Sequence, residues 1–241
     1  MDIGKSLQYT FEDERWASKL GIGALISLVP VLNIAWSGYC IEIMRRVVAG
    51  YDHPLPEWDE LGARFKDGLY IFLAAFVYGL PAFLLLGLPI GIMVIPAFIE
   101  NQDAQGIVAL FTTTVGLALL CFFFLYIIAF SLIFPAVQLN YTQSGTFQSC
   151  FHLRNIFQLI ARNSSDYLVA WLVALVVGFV VIPIASLIVS LVGWIPCLGQ
   201  IFGWVFLSFA GIWISAVASH LYGQVGKKAF SETALQTAPL E

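Results

Sequence analysis

The positions of the eleven lysine and arginine residues constrain this chain more than any other feature, because they leave three long segments without any charge. The uncharged segments are residues 68–99, 104–153 and 167–226. A helix needs roughly 20 apolar residues to cross the hydrocarbon core of a bilayer. Segments this long and this apolar therefore predict membrane-embedded helices and an all-α, multi-pass fold.

Composition supports a membrane protein and argues against two other classes. Hydrophobic residues make up 60% of the chain and charged residues 11%, with a mean hydropathy of +0.88. A soluble domain has about 25% charged residues, so this chain is not expected to be one. The net charge is −4, and no basic excess indicates a nucleic-acid partner.

The order of charged and apolar segments predicts the organisation of the chain. A cytoplasmic N-terminal segment at 1–19 precedes a single membrane domain at 20–226 and a cytoplasmic tail at 227–241. The membrane domain comprises an apolar segment at 20–50, an interfacial helix at 56–67, a helical hairpin at 68–142, a second interfacial helix at 146–165 and a second helical hairpin at 166–225. We expect four full spanning helices from the two hairpins. Pro89, Gly91 and Pro96 should break the first helix near the far surface, and Pro135 should mark the cytoplasmic end of the returning helix. Because basic residues favour the cytoplasmic side, the C-terminus is expected there.

The first apolar segment, Leu20 to Ile41, has two interpretations. A single kinked helix would be a fifth span and put the N-terminus outside, whereas a hairpin turning at Pro30 to Asn33 would keep it inside. The arm before that turn would be about 15 Å long as a helix, too short to cross alone. Such a hairpin would therefore be re-entrant. We favour the hairpin, because all eleven basic residues then lie on one side.

Two cytoplasmic segments carry apolar residues at helical spacing with polar or charged residues on the opposite face. The apolar members are Trp58, Leu61 and Phe65 in the first segment, and Phe147, Phe151 and Phe157 in the second. Amphipathic helices of this kind lie in the membrane interface with their apolar faces toward the acyl chains. The alternative is that these helices pack on a partner or on the protein's own helices.

The last apolar segment contains small residues spaced four apart, interrupted only by Leu207. The members of this stripe are Gly199, Gly203, Gly211, Ser215, Ser219 and Gly223. Small residues on one helix face let a second helix approach closely, and such contacts drive helix association in lipid. We expect the stripe to pack within the fold; the sharper alternative is a homodimer seam.

A weak internal repeat links the two ends of the chain. Leu-Val-Pro-Val-Leu-Asn at 28–33 resembles Trp-Ile-Pro-Cys-Leu-Gly at 194–199, each a proline-containing turn inside an apolar segment. Repeats are common in membrane folds, although apolar sequences also align by chance.

The spanning segments lack the residues that mark ion-coupled transport or catalysis. Ionisable side chains inside a membrane are expensive and usually functional, and none lies between the charged ends of these segments. No HExxH, GxSxG or phosphate-loop motif occurs. A dyad of Ser37 and His220 is the one catalytic pairing to weigh. We expect no catalytic residue, no cofactor and no metal site.

Several motifs in the first third of the chain form a recognisable pattern. They are Phe-Glu-Asp-Glu-Arg-Trp at 11–16, Leu-Ile-Ser-Leu-Val-Pro-Val-Leu-Asn at 25–33, Gly-Tyr at 38–39, Met-Arg-Arg-Val at 44–47 and Pro-Leu-Pro-Glu-Trp-Asp at 54–59. The pattern resembles the prokaryotic membrane family catalogued as domain of unknown function 4013. This resemblance implies a multi-pass protein of a bacterial or archaeal cell membrane. It implies no activity and no catalytic residue.

These observations favour a non-enzymatic membrane module that organises lipid or a partner protein. The alternative is a channel or permease subunit for a neutral solute, lined by Ser, Thr, Asn and Gln, and an intramembrane enzyme comes third. The expected partners are membrane lipid and either a second copy of the chain or another membrane protein, with no nucleic acid. A continuous polar cavity would favour the channel or permease, and an exposed groove on a closed bundle the lipid module.

Overall fold

The computed structural model describes residues 1–237, which are almost entirely helical and contain no strand. The α-helices are α1 Ile3–Glu12, α2 Trp16–Ser27, α3 Asn33–Ala49, α4 Leu61–Val94, α5 Gln102–Ser144, α6 Leu153–Arg162, α7 Ser164–Val192 and α8 Leu198–Thr237. Short 3-10 helices occupy Ile95–Phe98 and Phe147–Phe151. The all-α prediction is confirmed.

Four helical segments of the described chain are long and apolar enough to cross a membrane. They are Leu61–Phe98, Ala104–Ser144, Ser164–Val192 and Leu198–Ser231. Large apolar side chains on these segments point outward; Phe98 is 81% exposed and Phe179 is 84% exposed. Apolar surface of this extent is unfavourable in water and is compatible with lipid. The prediction of four spanning helices is confirmed.

Helix boundaries differ from the sequence-based expectation at several points. No separate interfacial helix forms over 56–67, because residues 56–60 are irregular and 61–67 are the first turns of α4. Helix α4 continues through Pro89 and ends at Val94, just before Pro96, and α5 continues past Pro135 to Ser144. Proline removes only one backbone donor, and neighbouring groups in a membrane helix can satisfy the freed carbonyl. Over 146–165, a 3-10 turn, α6 and the start of α7 replace a single helix.

The described residues form two compact units. The first contains Met1–Phe72 and the chain from Pro135 onward, and the second is Leu73–Phe134. The second unit is a helical hairpin in which α4 and α5 pack closely. An added Cβ on Gly116 would lie 2.5 Å from Cε of Met93. The Tyr126 hydroxyl donates a hydrogen bond to the carbonyl oxygen of Tyr78.

The N-terminal segment folds as a hairpin of two short helices, which agrees with the hairpin interpretation; its re-entry into the membrane stays a prediction. Helix α2 has 12 residues and α3 has 17, and neither is among the four candidate spans. The hydroxyl of Ser27, at the tip, lies 2.5 Å from that of Ser208. Ser208 follows the start of α8 at Leu198 by ten positions, about 15 Å along a helix. The tip therefore stops short of that end of α8, as a re-entrant hairpin would.

Helix α1 runs antiparallel to α8 and brings the N-terminus to the basic end of α8. The amide N–H of Asp2 donates to Oε1 of Gln224 at 2.6 Å. Further along, the Tyr9 hydroxyl donates to the carbonyl oxygen of Ala216 at 2.9 Å. Residues 1–10 and residues 213–224 therefore lie side by side in the first unit.

The two proline-containing turns share the same backbone hydrogen bonds. Each turn has one bond from residue i to residue i−3 and a second, four residues later, from residue i to residue i−4. The bonds are Val29 N to Ile26 O and Asn33 N to Val29 O in the first turn, and Ile195 N to Val192 O and Gly199 N to Ile195 O in the second. The two turns differ at Cys197, which has a left-handed φ of 63° where its counterpart Val31 does not, so the sequence similarity of 28–33 and 194–199 corresponds to two shared hydrogen bonds and not to one turn geometry.

The core of the first unit lies where the hairpin meets α8. Tyr39 and Ile43 of α3 are fully buried there together with Leu20 of α2 and Ala216 of α8. Burying a large apolar side chain contributes roughly 1.5–3 kcal/mol. This packing holds the hairpin against α8 and positions the polar side chains described below.

Candidate functional site

The first unit contains a polar groove between the N-terminal hairpin, the last ten residues of α5 and the middle of α8. Its volume is about 480 Å³. The lining residues are Ser27, Asn33, Trp36, Ser37, Cys40, Gln138, Ser208, Gly211, Ile212 and Ser215. None of these side chains carries a formal charge, and most end in a hydroxyl or an amide. The groove is therefore suited to an uncharged partner that forms hydrogen bonds.

Part of the lining ties the hairpin to α8. The Ser208 hydroxyl donates to the carbonyl oxygen of Ala24 at 3.1 Å and lies 2.5 Å from the Ser27 hydroxyl. Nε1 of Trp36 donates to the Ser215 hydroxyl at 2.8 Å. These bonds join α2 and α3 to α8 on both sides of Gly211, and so they fix the width of the groove.

Three further polar side chains of the lining have no protein partner within the described residues. Among residues 1–237, no hydrogen bond joins the side chains of Asn33, Ser37 or Gln138 to another group. A polar group that is removed from water without a hydrogen bond costs about 1–3 kcal/mol. Water or a polar ligand must therefore satisfy these three groups when the groove lies at membrane depth.

Gly211 is the reason that the groove has room beside α8. No atom lies within 4 Å of the position that a Cβ on Gly211 would occupy. Within the described residues, Gly211 therefore has no close helix neighbour at this position, and its contact with a second copy stays a prediction. A side chain at this position would project into the groove.

The rest of the small-residue stripe divides between two kinds of contact. An added Cβ would lie 2.7 Å from Val189 at Gly203 and 2.7 Å from Val47 at Gly223, so both glycines permit close packing. Gly199 is in the first turn of α8, where a Cβ would lie 2.3 Å from the carbonyl oxygen of Val192. Ser219 is buried and donates to the carbonyl oxygen of Ser215.

Trp58 lies in an aromatic cluster within the protein. Its ring stacks on Tyr39 with centroids 4.6 Å apart and lies 6.1 Å from the Trp36 ring. Its Nε1 donates to the carbonyl oxygen of Lys19 at 2.9 Å. The alternative that this segment packs on the protein's own helices therefore describes Trp58 better than contact with lipid.

The other five predicted interfacial side chains are partly or largely exposed. Leu61 is 50% exposed and Phe157 is 53% exposed, while Phe65 is half-buried. Phe147 packs 5.5 Å from the Tyr70 ring and 5.2 Å from the Phe151 ring. Their contact with a membrane surface remains a prediction.

Two charge clusters brace the hairpin in regions the sequence did not connect. Lys19 bonds to Asp13 at 2.6 Å and to Glu57 at 2.9 Å. Burial alone would raise the pKa of Asp13, but the Lys19 ammonium and the Arg15 backbone N–H together hold it below its ordinary value. Lys19 is buried, and its pairing with two carboxylates offsets the cost of removing its charge from water.

The second cluster joins α3 to α4 and α5. Arg45 pairs with Asp67, which also accepts a hydrogen bond from the Tyr141 hydroxyl at 2.6 Å. Burial alone would lower the pKa of Arg45, but Asp67 and Glu42 raise it on balance. Glu42 also pairs with Arg46 at 3.2 Å, the local ion pair expected from their spacing. The cluster therefore has a structural role.

His220 is paired with a serine that the sequence did not single out. Nδ1 of His220 lies 2.8 Å from the hydroxyl of Ser6, and its ring stacks on Tyr9 at 4.3 Å. The described residues contain no cluster of metal-ligating side chains. His220 therefore helps to dock α1 onto α8, whereas Ser37 lines the polar groove.

The fold and the outward apolar surface define an α-helical, multi-pass membrane protein. The chain belongs to the family described as protein of unknown function (DUF4013), which matches residues 22–190, more than half of its length. The resemblance seen in the sequence motifs is confirmed. No curated protein and no solved structure matches the chain.

Proposed function

We propose that this protein is a non-enzymatic membrane module that binds lipid through the polar groove. The observation that supports the proposal is the set of three polar side chains, Asn33, Ser37 and Gln138, that have no hydrogen-bond partner in the described chain. They offer both donors and acceptors without charge. A hydroxyl, ester or amide group of a lipid has the matching chemistry.

The surroundings of the groove favour a lipid over a wholly polar molecule. Ser27 and Asn33 flank the hairpin tip, and the tip exposes apolar side chains beside them. Leu28 is 41% exposed, Val31 is 62% exposed and Leu32 is 46% exposed. A lipid with an uncharged polar part could place that part in the groove and its acyl chains along the tip.

The proposed orientation follows from the basic residues. The N-terminus lies beside Gln224, close to Lys227 and Lys228, so the two basic ends share one side of the first unit. Because basic ends favour the cytoplasm, we assign this side to the cytoplasm of a prokaryotic cell. The groove would then be reached from within the membrane.

A second candidate is passage of a neutral solute, as in a channel or permease subunit. The absence of charged side chains from the groove lining favours it. A solute path needs polar contacts along the whole span, whereas a lipid site needs only one polar pocket beside an apolar surface. The groove as described has the second form.

Native mass spectrometry of the purified protein tests the proposal. The wild type should retain a lipid with an uncharged hydrogen-bonding part. Gly211→Leu, which fills the groove, should lose that lipid, while Gly178→Leu should keep it, since Gly178 also has no atom within 4 Å of a Cβ. Equal retention by both variants would contradict the proposal.

A flux assay in proteoliposomes separates the second candidate. Uptake of an uncharged solute that Gly211→Leu blocks and Gly178→Leu permits would favour a solute path. No uptake together with Gly211-dependent lipid retention would leave the lipid-binding module as the function.

A further inference from the structure

A second cavity lies at the opposite end of the hairpin from the polar groove, where α1, the end of α3 and the basic part of α8 meet. Its volume is about 390 Å³. The side chains that matter for its chemistry are those of Lys5, Asp52, Asp166, Lys227 and Lys228. All of them belong to the first unit. The cavity is therefore a concave surface that carries both signs of charge.

Within the protein, only some of these charges are compensated. Lys228 bonds to Asp166 at 2.7 Å. No ion pair in the described chain involves Lys5, Lys227 or Asp52. Asp2, which also lines the cavity, accepts the backbone N–H of Lys5 at 2.8 Å and caps α1. The side chains of Lys5, Lys227 and Asp52 thus remain available to a ligand, while Asp2 keeps its negative charge at the start of α1.

The backbone at Gly50 makes space for one of these ammonium groups. Gly50 ends α3 with φ of 84°, the left-handed conformation that favours glycine. A Cβ added there would lie 3.1 Å from Nζ of Lys227. Any larger residue would be strained and would crowd Lys227, so the turn and the lysine position depend on each other.

The cavity also lies where lipid headgroups are expected. Lys227 directly follows the uncharged segment 167–226 and lies near the end of the candidate membrane span Leu198–Ser231. Basic residues at such ends contact the phosphate groups of lipids. Phosphate accepts hydrogen bonds from lysine ammonium groups, and a carboxylate attracts a cationic amine.

We propose that this cavity binds a phosphate ester that also bears an ammonium group. The phosphate would lie between Lys5 and Lys227, and the ammonium group would face Asp52. A zwitterionic phospholipid headgroup and free phosphoethanolamine share this chemistry. The site is separate from the polar groove, and it does not depend on the function proposed for that groove.

Thermal unfolding in detergent, measured with phosphatidylethanolamine, phosphatidylglycerol, free phosphoethanolamine or inorganic phosphate, tests the proposal. A ligand that binds only the folded state raises Tm, and the rise grows with the ratio of ligand concentration to Kd. We expect phosphatidylethanolamine to raise Tm more than phosphatidylglycerol. Lys5→Gln with Lys227→Gln should weaken this binding at least tenfold, while Lys66→Gln, an exposed lysine outside the cavity, should leave it unchanged.

The remaining comparisons identify the ligand and its source. Asp52→Asn should remove the preference for phosphatidylethanolamine over phosphatidylglycerol. A response to free phosphoethanolamine equal to that of the lipid would assign the site to the soluble compound, whereas a response to the lipid alone would assign it to the headgroup. A lysine variant that responds like the wild type, or inorganic phosphate as effective as both esters, would overturn the proposal. Gly211→Leu should not affect the response, which separates this site from the polar groove.

Discussion

Gly38 of α3 and Gly68 of α4 face each other with their backbones in contact. A Cβ on Gly38 would lie 1.8 Å from the carbonyl oxygen of Arg64, and a Cβ on Gly68 would lie 1.8 Å from that of Ile34. Both positions exclude any side chain, because the obstructing atoms belong to the backbone. This crossing of two glycines holds the start of α4 against the hairpin that forms one wall of the polar groove.

Gly38→Ala and Gly68→Ala should each destabilise the protein. The two helices must separate to admit a methyl group, and overpacking of this kind costs about 1–3 kcal/mol or more. Unfolding in detergent measures the loss. Gly62→Ala is the matched control, since Gly62 lies on α4 with no atom within 4 Å of a Cβ. A loss at Gly62 equal to the loss at Gly68 would show that α4 tolerates no substitution and that the crossing is not the cause.

Gly223→Leu should destabilise the protein, and Gly211→Leu should cost less. Gly223 packs against Val47, so its enlargement should cost about 1–3 kcal/mol, whereas Gly211 faces open space. The sequence pattern alone predicted a loss at Gly211. Thermal unfolding with light scattering compares the two variants. A folded Gly211→Leu variant that changes from dimer to monomer would instead place Gly211 at an interface between two copies.

Trp58 should be shielded from lipid. The wild type and the variants are reconstituted with brominated lipid, and the tryptophan fluorescence that the bromine quenches is measured. Trp58→Phe should leave this quenched fluorescence as large as in the wild type, because Trp58 packs against Tyr39 and Trp36. Trp204→Phe should reduce it, since Trp204 is 70% exposed on a candidate span. A reduction in Trp58→Phe as large as that in Trp204→Phe would return Trp58 to the membrane interface.

Acid should weaken the contact between Asp13 and Lys19. The folded state lowers the pKa of Asp13, so the unfolded chain binds a proton more readily. The stability that Asp13 contributes is therefore complete above its unfolded pKa of about 3.9, and it is lost as the pH falls through the lower, folded pKa. Between pH 6 and pH 3, the Tm of the wild type should fall further than that of Asp13→Asn. Glu14→Gln, which removes an exposed carboxyl group, should behave like the wild type.

Cysteine labelling should place the basic segments in the cytoplasm. In a background without the four native cysteines, Lys66→Cys and Arg154→Cys should react with an impermeant maleimide only after the cells are opened. Gln102→Cys, which lies between the first two candidate spans, should react in intact cells. Lys66 is chosen for labelling because its side chain is exposed, whereas the nearby Arg64 is only 6% exposed. Labelling of Lys66→Cys from outside would reverse the assignment.

Proteolysis of a tag placed before Met1 tests the side of the N-terminus. Because Asp2 contacts Gln224, a tag before Met1 should share the accessibility of Lys66→Cys. Proteolytic removal of that tag from outside intact cells would require a spanning first segment and contradict the hairpin.

Sequence reasoning succeeded where one physical requirement dominates. Long uncharged segments have a single stable environment, so the four spans and the helical class followed from them. It was less accurate about helix ends, because Pro89 and Pro135 are compatible with helices once neighbouring groups satisfy the backbone. The spacing around Trp58 was also ambiguous, since an apolar stripe fits lipid and protein equally well until its neighbours are known.

By itself, the sequence determined the all-α class, the number of spans and the family, because these depend on local hydrophobicity and on contiguous motifs. Only the tertiary structure brought Asn33, Ser37 and Gln138 to one groove and left Gly211 open beside them. It also brought Lys5 and Lys227 to the lining of one cavity. Such contacts join residues that are up to about two hundred positions apart, and the packing of helices determines them, which no local spacing encodes.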